Sequence, residues 1–293
     1  MGAKNSRSFL PMTSDDLRDY LTFLQASGRA SSTISTHASL ISMLHRNAGI
    51  QPPNTSPLVF RTLKKINRTA VVAGERTGQA VPFRLADLMK LDALWSVSTR
   101  KQDVRNLAFL HVAYSTLLRV SELARLRVRD ISRAEDGRII LDVAWTKTIV
   151  QTGGLIKALS ALSSRRLTKW IAAAGWRVNL MLSFFVRFIV QTRIVNTERP
   201  MSTPALEEIF AQARRAAGPV KPVKTNKNRY RGWSGHSARV GAAQDMAKKG
   251  IRWRKSCRKA PKKPETLMRY IRNVDAHKGA MVDLMEQQQS DTP

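Results

Sequence analysis

The sequence predicts a mainly α-helical protein: a small all-α domain, then a larger, mostly helical domain with a small β-sheet. Three observations lead there. Apolar residues recur at three- and four-residue spacing through most of the chain, the period of a helix with one buried face. A polar, apolar-poor stretch, Ala73–Pro82 (AGERTGQAVP), breaks that pattern and reads as a linker. β-branched residues alternate over Arg138–Ala144, the signature of a strand, with Lys147–Gln151 as its expected hairpin partner.

The elements follow in order. Ser14 is the expected N-cap of a first helix carrying Leu17, Tyr20, Leu21 and Leu24, which Gly28 ends. A second helix spans Ser32–His45, with Ile34, Ile41 and Leu44 on one face, and Gly49 and Pro52 close it. A third runs over Pro57–Ala70. These three make a small domain over residues 1–72, followed by the linker at 73–82. The larger domain, residues 80–287, opens with helices at Leu85–Val97 and Asp103–Leu117. After the strand, helices are expected at Ser163–Ala174, Thr203–Ala217, His236–Lys249 and Pro264–Arg272, with a last short one from Gly279.

Composition narrows the function. Of 293 residues, 43% are hydrophobic, enough for a core, while 50 Lys and Arg against 21 acids leave a formal charge of +29. Such a charge calls for a polyanionic partner: nucleic acid first, with an anionic membrane surface or a ribosomal assembly as alternatives. The longest apolar stretch, Leu180–Val190, contains Arg187 and is too short to span a bilayer, so no membrane is expected. The single cysteine, Cys257, excludes a disulfide framework and suits a reducing cytoplasm. The N-terminus lacks a signal-peptide pattern. No His/Cys ligand spacing and no Gly-rich phosphate loop occurs, so neither metal nor cofactor is expected.

Four segments carry chemistry: LLRVSELARLRVRDI (Leu117–Ile131), WTKT (Trp145–Thr148), WSGHSARVGAAQDMA (Trp233–Ala247) and LMRYIRN (Leu267–Asn273). Singly, each has a commoner meaning. Arg119 and Glu122 could be an exposed i,i+3 pair, Lys147 a solvated lysine, His236 a helix cap and Tyr270 a core tyrosine. Together and in this order they resemble the active site of the Cre-like phage tyrosine site-specific recombinases, within the phage integrase family. The resemblance covers about Leu10 to Glu286, and four ordered motifs over that span are very specific.

The resemblance implies the tyrosine recombinase fold, with a core-binding domain at 1–72 and a catalytic domain at 80–287. It implies a site-specific DNA recombinase that cleaves and rejoins DNA through a 3′-phosphotyrosine. Tyr270 would be the nucleophile. Arg119 and Arg239 would clamp the phosphate, since guanidinium offers fixed, always-charged donors in pairs. Lys147 would protonate the leaving oxygen, His236 would aid phosphate binding or proton transfer, and Glu122 would orient the site. The second helix, with His37, His45 and Arg46, would face a DNA groove. The expected partner is double-stranded DNA with an inverted-repeat target, and the segment Gly279–Gln287 would dock on a neighbouring protomer, giving a homotetramer on two sites. A catalytically impaired relative that only binds DNA, and a type IB topoisomerase-like relaxing enzyme, are the alternatives.

Three departures from the family accompany the resemblance. The first helix of the core-binding domain and most of a second are expected to be missing. Pro261 stands nine residues before Tyr270, where the family has a Trp or His that donates to the scissile phosphate. Two segments look foreign: Arg252–Pro261 (RWRKSCRKAP), and Trp176–Pro200, which lacks the family's turn and strand pattern. Both can be back-translated so that a neighbouring frame reads like the family, which points to a frame-slipped gene product, with divergence in a tolerant loop as the alternative. Arg252, Arg254, Lys255, Arg258 and Lys259 all lie in Arg252–Pro261, so part of the +29 comes from that segment and counts less as evidence for DNA.

Overall fold

The computed structural model describes residues 10–75, 78–143, 155–175, 185, 188–189, 193–194, 200–218 and 232–249. The chain divides into two compact units, Met1–Gly78 and Gln79–Pro293.

In the first unit, three helices pack: α1 (Ser14–Ala26), α2 (Ser31–Asn47) and α3 (Pro57–Val72). Thr13, not Ser14, caps α1. Its backbone is extended (φ −77°, ψ 163°) and its hydroxyl accepts from the Asp16 N–H at 3.1 Å. Ser14 is already helical and donates instead to the Pro53 carbonyl at 3.1 Å. α3 starts as such helices should, with Ser56 as cap and Pro57 in the first turn. The core holds Leu17, Leu21, Leu24, Ile34, Ala38, Val59 and Ile66.

α2 corrects two expectations. Its core-facing line runs Ile34, Ala38, Ser42, His45, at steps of four and three, so Leu44 falls outside it and is 56% exposed. His45, expected at a DNA groove, is 1% exposed. Its Nδ1–H donates to the Ile41 carbonyl at 2.8 Å, and its Nε2 accepts from the Met12 N–H at 2.9 Å. A ring with both nitrogens used inside the protein is a strut between α2 and the segment before α1, not a base reader.

The second unit contains α4 (Leu85–Trp95), α5 (Lys101–Thr116), α6 (Val120–Leu123), α7 (Ala161–Ala174), α8 (Thr203–Ala216) and α9 (Gly235–Lys248). α5 is its axis. It is buried on nearly every side from Val104 to Ala113 and packs on α4, α7 and α9. Edge-to-face rings fill the middle: Phe109 against Phe210 at 5.6 Å, Phe210 against Phe83 at 6.1 Å, and Phe83 against Trp233 at 4.8 Å.

The expected strand forms as β2 (Ile139–Val143), with Ile139, Leu141 and Val143 in the core. It pairs antiparallel with β1 (Ile131–Arg133) on one side and β3 (Leu155–Ala158) on the other, a three-stranded meander. Neither neighbour shows in the pattern of the sequence, because each is only three or four residues long. The expected partner Lys147–Gln151 lies outside the described residues, as do the helices expected at Pro264–Arg272 and from Gly279. The foreign-looking segment Trp176–Pro200 does contain strands, contrary to expectation: β4 (Phe188–Ile189) pairs antiparallel with β5 (Arg193–Ile194). Its Phe185 is 1% exposed, packs edge-on to Phe109 at 5.0 Å, and its carbonyl accepts from the Met201 N–H at 2.9 Å.

A polar knot ties α4, α5 and α7 together. Buried His111 donates from Nε2 to Asp92 at 2.9 Å and accepts at Nδ1 from the Ser163 hydroxyl at 3.2 Å. Arg166 grips both Asp92 oxygens at 2.6 Å. Burial pushes His111 below its ordinary value despite the Asp92 partner. Burial alone would raise Asp92, but the hydrogen bonds from Arg166 and His111 outweigh it and hold the carboxyl below its ordinary value. Both groups therefore bind fewer protons folded than unfolded. Stability is present above the ordinary histidine value, about 6.5, is lost as pH falls through the depressed folded value, and falls again through the carboxylate range. The unfolding temperature should accordingly drop between about pH 7 and pH 5, and His111→Asn should flatten that drop. An equal slope in the variant would remove His111 as the cause.

Candidate active site

Arg119 is delivered by a tight turn. α5 stops at Thr116, and Leu117 adopts the left-handed conformation (φ 60°, ψ 19°), which costs a non-glycine residue about 1–2 kcal/mol. The turn redirects the chain so that Arg119 becomes the N-cap of α6. One carboxylate then fixes Arg119 twice. Glu122 accepts from the Arg119 backbone N–H at 2.7 Å through Oε2 and from its guanidinium at 2.7 Å through Oε1. The Glu122 side chain is 1% exposed and that of Arg119 32% exposed. The guanidinium thus rises from a buried carboxylate to the surface, and no other described residue takes its remaining donors.

His236 and Arg239 lie three residues apart on α9, hence on one face. His236 is exposed and Arg239 buried. The start of α9 meets the start of α6 without any space for a side chain. A Cβ on Gly235 would sit 1.8 Å from Val120 Cγ2 and 2.8 Å from Glu207 Oε1. Val120 follows Arg119, and Gly235 precedes His236, so both flank the same contact. Glu207 of α8 accepts from the Gly235 N–H at 2.7 Å, placing a carboxylate at the positive end of α9. Trp233, buried just ahead, meets Phe83 edge to face and carries the Arg214 guanidinium 5.5 Å over its ring.

The far half of α9 is fixed as firmly. A Cβ on Gly241 would lie 1.7 Å from the Phe83 carbonyl oxygen, and the Phe83 N–H donates to the Ser237 carbonyl at 3.0 Å. Asp245 accepts from the Tyr114 hydroxyl at 2.6 Å, from the Leu85 N–H at 2.7 Å and from Arg84 at 3.1 Å. It thereby caps α4, holds α5 and anchors α9 together. Burial, then the hydrogen bond to Asp245, pushes the Tyr114 phenol well up, so it stays a donor at any physiological pH.

Of the residues that the motifs singled out, Arg119, Glu122, His236 and Arg239 all fall on α6, α9 and the turn into α6. Lys147 and Tyr270 lie outside the described residues, as does Pro261. In the first unit His37 is half-buried, its Nδ1 2.8 Å from the Tyr20 hydroxyl, and Arg46 is exposed. Two acids escaped the sequence reading. Asp245 is the sole acid in WSGHSARVGAAQDMA, a helix of small residues, and that isolation was a usable signal. Glu207 has an identical neighbour in Glu208, and nothing in the sequence separates the buried role from the exposed one.

Comparison with known proteins decides the family. The phage integrase family model matches residues 86–275. The chain belongs to the phage integrase family of tyrosine recombinases. It is 40% identical over 284 residues to the recombinase Cre of Escherichia phage P1, covering 96% of this chain and 82% of Cre. Its fold is also that of the Tn1549 transposon integrase solved with circular intermediate DNA, at a TM-score of 0.56 and 14% identity over 94% of this chain and 85% of that one. The lambda integrase dimer bound to a core site gives 0.52 and 18%, over 92% and 67%. The phage integrase match spans α4 through α9, so all four placed residues lie inside it.

Two substitutions test this architecture. Gly235→Ala should separate α6 from α9 and cost about 1–3 kcal/mol by overpacking, read from urea unfolding. Glu122→Gln should cost about 1–3 kcal/mol, less than a fully buried pair because the guanidinium is one-third solvated. Unchanged stability in either variant would show that the contact it removes is not a tether.

Proposed function

We propose that this site-specific DNA recombinase works through Tyr270, Arg119, Lys147, His236 and Arg239, with Glu122 in support. The observation that supports the reading is the α6–α9 contact, where Val120, next to Arg119, meets Gly235, next to His236. Two guanidiniums and an imidazole acting together would suit a phosphodiester that gains charge as it becomes five-coordinate. The Tyr270 hydroxyl passes its proton to His236 and its oxygen attacks phosphorus to form a 3′-phosphotyrosine, while the bond to the 5′-oxygen breaks and that oxygen leaves with a proton from Lys147. A 5′-hydroxyl from a second strand reverses the step, returning its proton to Lys147 while Tyr270 regains its own from His236. Bond energy is conserved throughout, so the exchange needs no nucleotide. Glu122 serves by holding Arg119 in place and offsetting one of the positive charges.

The partner is double-stranded DNA with inverted-repeat arms, and the assembly is a homotetramer on two such sites in the cytoplasm. Two relatives of this fold, the Tn1549 and lambda integrases, were solved on DNA, the second as a dimer, which supports a duplex partner. Within the first unit, Arg46 is the exposed cation of α2 and His37 the half-buried ring on the same helix. They remain its proposed DNA contacts, with His45 removed.

One observation favours a second reading, a DNA binder of impaired catalysis. Pro261 stands nine residues before the proposed nucleophile and has no donor, and five cations crowd Arg252–Pro261 where the family carries an apolar-patterned helix.

A duplex nicked beside the cleavage point separates the two, because cleavage then releases a short strand and traps the covalent complex. The adduct should map to Tyr270 and vanish in Tyr270→Phe with duplex binding retained. Arg119→Ala and Arg239→Ala should each slow cleavage about 10²–10³-fold. If the chain as it stands traps nothing, restoring a family-like segment over Arg252–Pro261, with Trp at 261, should recover trapping. Full activity before that change would dismiss the impaired reading.

A further inference from the structure

The β1–β2 turn and α7 enclose an open cleft of about 480 Å³ that plays no part in the site above. Four cations line it, Arg133, Arg138, Arg165 and Lys169, against one carboxylate, Asp136, which leaves three positive charges unbalanced. All four cations are exposed. They are also held in position. Arg133 donates to the Gly137 carbonyl at 3.4 Å and to the Thr168 hydroxyl at 3.2 Å, so it bridges turn and helix. Asp136 accepts from the Arg138 N–H at 3.0 Å and from its Nε at 2.6 Å. Lys169 donates to the Ser96 carbonyl at 2.8 Å. Arg165 has no hydrogen-bond or ion-pair partner among the described residues.

A surface of isolated cations would not need a bridge from turn to helix. Here one guanidinium is spent on holding the walls together and another is left unpaired between them. Guanidinium groups set in this manner match the oxygen pairs of a phosphate, and an open trough admits a chain of phosphates as readily as a free one. The cleft lies at the Ile139 end of β2 and shares no residue with the turn into α6 or with α9, where Arg119, His236 and Arg239 stand. A ligand held by the cleft is therefore not one held by those three residues.

We propose that this cleft is a second anion site, built for phosphate, and that its source is the DNA backbone away from the cleavage point. The choice of source rests on the recombinase reading above; the phosphate chemistry does not.

The test has two arms on the full-length chain. In the first, inorganic pyrophosphate is titrated while the ¹⁵N-glycine spectrum is followed. The Gly137 amide should shift with saturation, and Arg133→Ala/Arg165→Ala should abolish the shift. In the second, duplex affinity is measured across a salt series. Loss of two phosphate contacts should lower the slope of log K against log salt by about 1.8, whereas Arg100→Ala/Lys101→Ala, an equal loss of exposed charge elsewhere in the same unit, should leave it nearly unchanged. A pyrophosphate shift without a slope change assigns the cleft to a free phosphate compound and overturns the DNA source. No saturable shift, together with a slope change no larger than that of the control pair, overturns the site itself. A parent chain that fails to bind duplex at low salt defeats the recombinase reading instead, and the pyrophosphate arm still decides the cleft.

Discussion

The absence of a side chain at Gly235 governs the geometry on which the other placements depend. Helices normally pack through side chains, with axes about 8–10 Å apart. At this position the Val120 side chain occupies the volume that a Cβ would need, so α6 presses a side chain directly on the α9 backbone. Arg119 and His236 are the immediate chain neighbours of that contact, and their separation is set by it rather than by flexible packing. Gly241 repeats the device against the Phe83 carbonyl, which fixes the rotation of α9 as well as its approach. With two close approaches to the α9 backbone, one by the Val120 side chain and one by the Phe83 backbone, rolling or sliding the helix brings a clash. The Phe83 N–H to Ser237 carbonyl bond lies between them and resists separation.

Electrostatics completes what sterics begins. The elements meeting here carry Arg84, Arg119, Arg214 and Arg239, and cations so close repel unless anions separate them. Three carboxylates do so, each at a backbone N–H as well as, in two cases, at a guanidinium. Glu122 serves Arg119, Asp245 serves Leu85 and Arg84, and Glu207 serves Gly235. A carboxylate that accepts from a backbone amide is held in place, so Glu122 keeps the partly exposed Arg119 guanidinium at a fixed position.

Much of this was legible in the sequence, and the limits have physical causes. Helix periodicity located α1 through α5 and α7 through α9 to within a few residues, because each buries a continuous face. α6 escaped notice as a separate helix, since a single turn has no period to read. β1 and β3 were missed for the same reason. The error at His45 came from reading a helix face by residue type: a histidine looks solvent-facing until its three-residue step from Ser42 puts it on the core line. In the site, the motifs supplied the cations and their orienting Glu122. They could not supply Glu207 or Asp245, whose roles arise only when α8, α4 and α5 close around α9.

Phe185 bears on how the unusual segment Trp176–Pro200 should be understood. A run of residues produced by chance has no reason to match an existing core, and burying a poorly fitting ring strains its neighbours. Yet Phe185 is edge-on to Phe109 at nearly perpendicular planes, its carbonyl joined to Met201. Phe188 and Ile189 form a ladder with Arg193 and Ile194 immediately after it. A slipped reading frame explains the loss of family pattern there only if its apolar residues happen to occupy positions where the family's own were needed. LMLSFFVRFIV is apolar in nine of its eleven residues, all but Ser183 and Arg187, so a large apolar side chain is available at almost any register. The core therefore tolerates this segment because its demand is for apolar volume. Arg252–Pro261 differs in composition, with five cations among its ten residues, and apolar volume is not what such a segment could offer a core.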